Sequence, residues 1–181
     1  MDITMNRIIF IGLTLITAFG CADSGSEEQT ANSQETSQPS VDGSPYLLNA
    51  EPDGVLEVLA AREAAEDGAE IVVEGRIGGS VDPWIEGRAA FTIVDNSLKS
   101  CSDIPGDKCG KPWDYCCETT KLPTATALVK VVDDDGELIK AGAKQLLNVK
   151  ALSTVVVTGK AKRDEEGNLT VLATGVFVKK L

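Results

Sequence analysis

The chain has 181 residues, with 17 basic and 28 acidic side chains, a net charge of −11 and no histidine. That balance argues against nucleic acid as a partner, because such binders carry a basic stripe. The missing histidine removes imidazole acid–base chemistry, serine-type triads and the commonest metal ligand. No carboxylate pair stands out as an acid–base couple, so the sequence offers no catalytic residue and implies no enzyme and no cofactor.

Arg7 precedes an apolar run, Ile8 to Phe19. A membrane-spanning helix needs about 20 apolar residues, so this run is too short to remain as an anchor. It suits the core of a signal peptide over residues 1–20, with Arg7 as its positive end. Ala18-Phe19-Gly20 stands directly before Cys21. In these residues the chain resembles bacterial lipoprotein precursors, whose lipobox reads Leu, a small residue, Gly or Ala, then Cys. Ala18 and Phe19 depart from that pattern, which keeps ordinary signal-peptide cleavage open. The resemblance implies export and lipid on Cys21. It places the protein in the bacterial cell envelope, membrane-anchored and facing the periplasm or the exterior. Residues 21–44 are polar, with five acids (Asp23, Glu27, Glu28, Glu35, Asp42) and no Lys or Arg. Such a segment buries too little to offset the entropy of ordering, and it reads as a disordered acidic tether.

Residues 45–181 remain as one domain, with 16 basic and 22 acidic residues. Its net negative charge favours a neutral or cationic partner such as a protein, peptide or glycan. Asp53 to Glu66 reads as a helix, with Asp53 as cap and Val55, Val58 and Leu59 as its stripe. Glu70 to Ile77 is β-branched and reads as the first strand. Ala89 to Asp95 is the second and Ala127 to Val132 the third, closed by the turn at Asp133-Asp134-Asp135-Gly136. That acidic run lacks the alternating pattern of a calcium loop. Lys140 to Leu152 looks helical. Thr154 to Ala161 and Leu169 to Val178 are the fourth and fifth strands.

Five strands with a helix between the third and fourth is the element order of the OB-fold, a small Greek-key barrel. A β-sandwich or an open α+β sheet is the alternative. Val72-Val73-Glu74-Gly75-Arg76 and Val156-Val157-Thr158-Gly159-Lys160 share a pattern. In such a barrel the first and fourth strands are neighbours, and a mid-strand glycine marks a bulge or sharp coil. The Val-Val-Glu-Gly-Arg-Ile, Ala-Ala-Phe-Thr-Ile-Val-Asp and Val-Val-Val-Thr-Gly-Lys-Ala strands resemble those of exported bacterial lipoproteins with OB-like domains. The resemblance implies an architecture and no reaction.

Residues 96–123 form a connection unusually long for a barrel. It holds Cys101, Cys109, Cys116 and Cys117. Four cysteines in an exported domain predict two disulfides. A Cys116–Cys117 bridge would strain the ring across one peptide bond. Cys101 and Cys109 would then each bond one member of the adjacent pair. The other reading is a metal-thiolate or redox protein. No Cys-x-x-Cys pair supports zinc, and no metal is expected. Trp113 and Tyr115 of this loop, with Trp84, Arg88 and Phe91, can line one aromatic recognition patch.

Overall fold

The computed structural model describes residues 41–179. The expected signal peptide, Cys21 and most of the tether lie outside them. The described part is mainly β: a six-stranded mixed sheet with little helix.

The chain enters through a turn of 3₁₀-helix, Ser44–Tyr46, then β1 (Leu56–Glu57), α1 (Val58–Ala64), β2 (Glu70–Ile77) and β3 (Ala90–Val94). Two further 3₁₀ turns, Cys101–Asp103 and Leu122–Thr124, punctuate the cysteine loop. They precede β4 (Thr126–Val131), α2 (Ala143–Leu147), β5 (Thr154–Arg163) and β6 (Leu169–Val178). The strand order is β1-β2-β3-β4-β6-β5, and β2 also pairs with β5, so the five long strands form a closed circuit. All neighbours in the circuit are antiparallel except β4 and β6.

The alternation along β2 explains its place. Ile71, Val73, Gly75 and Ile77 point inward and their neighbours are half-exposed, the period-two pattern of a strand with one buried face. Val129, Val155, Val157 and Val171 meet them in the core, and Leu146 and Leu147 of α2 join the same cluster.

The two matching strand segments are neighbours, with Val73 opposite Val157 in an antiparallel pair. Their glycines do different work. At Gly159 the β5–β6 register slips: Thr158 faces Gly175 and Gly159 faces Ala173. A Cβ on Gly159 would stand 2.0 Å from the Leu172 carbonyl oxygen, a distance no side chain tolerates. Gly75 lies in a regular stretch; there a Cβ would meet the Val94 oxygen at 2.9 Å and Val58 Cγ2 at 3.0 Å. Its missing side chain lets α1 sit close to the sheet.

The helices are shorter than the sequence predicts. α1 begins at Val58, because Leu56 and Glu57 pair in parallel with Val73 and Glu74 of β2. Asp53 does not cap it. The carboxylate of buried Asp95, just past β3, accepts from the Leu59 amide at 2.8 Å and holds that end instead. Arg163, at the end of β5, donates to the carbonyls of Arg62 and Ala65 at the other end. α2 is one short helix, stopped by Asn148 in the left-handed region at φ 51°.

Candidate functional site

The cysteine loop docks on the sheet through Tyr115, which is fully buried with Val94, Leu98 and Ala125 in a second, smaller core. Gly78, just past β2, makes room for it. A Cβ there would lie 2.7 Å from Tyr115 Cε2 and 3.3 Å from the Trp113 carbonyl oxygen. The loop folds back on itself, with the Cys101 amide donating to the Asp114 carbonyl at 2.8 Å and the Ser102 amide to Pro112 at 2.9 Å. Ser100 and Asp103 form a capping box at that turn, and Arg76 of β2 reaches Asp103 at 2.5 Å. Burial pushes the Asp103 carboxyl up, but the Arg76 guanidinium and the donors of Ser100 outweigh it and hold it below the usual carboxylate range.

That fold-back gathers three of the four cysteines. Cys101 Sγ lies 3.3 Å from Cys116 Sγ. The sulfurs of Cys101, Cys109 and Cys116 all lie within 4.8 Å of one another. Cys101 is buried, Cys109 half-buried and Cys116 exposed; Cys117 is exposed and outside the trio. Burial first, then contact with the Cys116 and Cys109 sulfurs, pushes the Cys101 thiol up to about 12. A reduced Cys101 is therefore protonated at neutral pH and no nucleophile.

Beside this cluster lies an open cleft of about 480 Å³, lined by Asp82, Trp84, Lys111, Trp113, Lys144 and Lys150 among others. Trp113 reaches it from the cysteine loop, and its indole N–H donates to the Val81 carbonyl at 3.2 Å. Trp84 reaches it from the β2–β3 connection. Its ring leans on Phe91, centroids 5.9 Å apart, and Lys144 Nζ stands 5.1 Å from its centroid. A second hollow of about 270 Å³ shares Asp82, Trp84 and Lys144 and extends to Ile85 and Glu86.

The five aromatic-patch residues expected from sequence therefore divide. Trp84 and Trp113 are both half-buried and share one cleft. Phe91 and Tyr115 are fully buried, one in each core, and present no surface. Arg88 is exposed but lines neither hollow. Sequence reasoning missed Lys111, Lys144 and Lys150. Lys111 had a signal, standing two residues from Trp113. Lys144 and Lys150 had none, because α2 and the turn that follows it are distant in the chain and join the cleft only through the fold.

Compared with known proteins, the chain matches no family model and no curated protein.

Proposed function

We propose that this chain is an exported binding module, held on the bacterial envelope by lipid on Cys21, whose OB-like barrel presents the Trp84–Trp113 cleft to a ligand. The barrel reading rests on three features: the closed circuit of five strands, the one parallel pair within that circuit, β4–β6, and the placement of α2 between β4 and β5. Among the described residues no helix is long and apolar enough to cross a membrane. The envelope anchor is argued from Arg7, the Ile8–Phe19 run and Cys21 alone.

The observation that carries the binding reading is the convergence of two tryptophans, from loops far apart in sequence, on one cleft. Ligand sites combine an apolar wall with a few placed polar groups. Here the polar groups are three ammonium side chains and one carboxylate, Asp82. The cleft is thus locally basic on an acidic domain, which shifts the expected ligand from neutral or cationic to carboxylate-bearing. Calorimetric titration of the purified full chain with polygalacturonate, polyglutamate, neutral dextran and oligothymidylate tests this. Binding of one carboxylate polymer, weakened at least tenfold by Trp113→Ala or by Lys111→Ala with Lys144→Ala, is the expected result. Equal binding of dextran, preference for oligothymidylate, or indifference to these substitutions overturns it. Cys21→Ser should release the protein from the membrane fraction while leaving it exported.

The gathering of three sulfurs within 4.8 Å favours a second reading, a soft-metal thiolate site. Native mass spectrometry separates the two, because a metal adds mass and protects the thiols.

A further inference from the structure

We infer that the loop cysteines pair as Cys101–Cys116 and Cys109–Cys117, and that the first bridge is a redox clasp holding the Trp113 wall of the cleft in place. This deepens the binding reading, but the pairing itself needs neither ligand nor export.

The sequence leaves two pairings once the strained Cys116–Cys117 ring is set aside. Three observations choose between them. The Cys101 and Cys116 sulfurs are neighbours at 3.3 Å. The backbone brings them there independently of the side chains, through the amide of Cys101 on Asp114 and that of Ser102 on Pro112. Lastly, Cys101 is buried whereas Cys117 is exposed and outside the trio, so a Cys101–Cys117 bridge would have to pull one of them across the loop. Half-buried Cys109 and exposed Cys117 are then left to pair. Cys117 follows Cys116 by one peptide, about 3.8 Å between Cα atoms, and the Cys109 sulfur lies within 4.8 Å of that of Cys116.

In each bridge two thiols give up two protons and two electrons and form one S–S bond. The electrons reduce the disulfide of a dithiol oxidant to two thiols; oxidised glutathione serves in vitro.

The clasp follows from what the first bridge encloses. Residues 101 and 116 bracket a segment that carries Lys111 and Trp113, two of the cleft's walls. Apart from the sulfurs, that segment is anchored near its end by buried Tyr115, and elsewhere by the two backbone bonds above, by Arg76–Asp103 and by the Trp113 indole on Val81. Tyr115 fixes only the end next to Cys116, and the remaining ties are single polar contacts, each worth little on its own. The covalent bridge supplies the constraint that they do not.

The full chain, equilibrated in glutathione redox buffer, is the material for the test. Intact mass should fall by four hydrogens with no metal adduct. Stepwise reduction and differential alkylation, read by fragmentation between residues 116 and 117, should assign Cys101 to Cys116. A Cys101–Cys117 bond, or four thiols that alkylate freely, overturns the pairing, as does a retained metal. The clasp is read in the Trp84→Phe variant, where Trp113 is the sole indole. Reduction should increase acrylamide quenching of its emission at least twofold. Cys109→Ser with Cys117→Ser should keep quenching low until reductant is added. Quenching that is the same oxidised and reduced overturns the clasp while leaving the pairing and the binding reading standing.

Discussion

The closed sheet and the cysteine loop lie side by side and are stabilised by different means. In the sheet, buried residues alternate along β2, β4 and the first half of β6 and run consecutively in β3 and early β5, and the strands satisfy one another's backbone groups. Twenty-three buried residues form its cluster. The loop rests on a buried cluster of four, Val94, Leu98, Tyr115 and Ala125, of which the loop itself gives two, Leu98 and Tyr115. Its backbone bonds mostly within short turns. At about 25 cal/mol per Å² of apolar surface removed from water, the sheet accumulates stability that the loop cannot. A segment with little core needs a covalent tie if it is to hold side chains in fixed places, and that is where the cysteines are. The comparison teaches where function can sit: the β2–β3 connection holds Trp84 against Phe91 of the sheet, the tied loop holds Trp113, and the cleft opens between them.

The comparison breaks most visibly in the sheet. Gly159→Ala puts a methyl 2.0 Å from the Leu172 carbonyl oxygen, where only backbone movement can relieve it. The β5–β6 register must shift, and stability should fall by about 3–5 kcal/mol. Urea denaturation measures it; a loss under about 1 kcal/mol would mean that the register slip at Thr158/Gly159 is soft. Next in size is the loop. Cys101→Ser with Cys116→Ser should cost about 2–4 kcal/mol under oxidising conditions. In excess reductant the variant and the parent should unfold together. A persistent difference in reductant would show that the sulfurs matter by packing rather than by bonding.

How much of this was legible in the sequence follows the same division. β2 and β6 were readable to the residue, since alternation and flanking turns define a strand locally. α1 was misread, because the strand pairing of Leu56–Glu57 and the remote cap from Asp95 are tertiary facts that no local pattern carries. In the loop, cysteine content announced a constrained segment, but only the fold-back of residues 101–102 onto 112–114 shows which sulfurs meet. Phe91 and Tyr115 looked like surface aromatics by association with the tryptophans. Tyr115 lies two residues from Trp113, yet it faces Gly78 and the smaller core while Trp113 faces the cleft.

Tyr115 offers a finer test. Its hydroxyl oxygen is buried without a hydrogen-bond partner, and burial raises its pKa. An unsatisfied buried donor costs stability, so Tyr115→Phe should gain about 1 kcal/mol by thermal or chemical melting. A loss would mean that the hydroxyl finds a partner in solution, and the smaller core would then be held by polarity as well as packing.

The smallest effect concerns the ion pair that joins the two regions. Arg76 lies on β2 and Asp103 in the loop, 2.5 Å apart, with side chains 22% and 35% exposed. The folded state holds Asp103 below its ordinary value, so it binds its proton less readily folded than unfolded. The stabilisation is therefore present above the unfolded carboxylate pKa, about 3.9, and is lost as pH falls through the lower folded value. Solvent reaches the pair, which limits the contribution to less than about 1 kcal/mol. Asp103→Asn should remove that part of the acid dependence and leave stability near neutrality slightly reduced. It should also loosen the loop more when the cysteines are reduced than when they are oxidised, since the ion pair and the Cys101–Cys116 bridge restrain the same turn. An equal effect in both states would mean that Arg76 steadies β2 and does nothing for the loop.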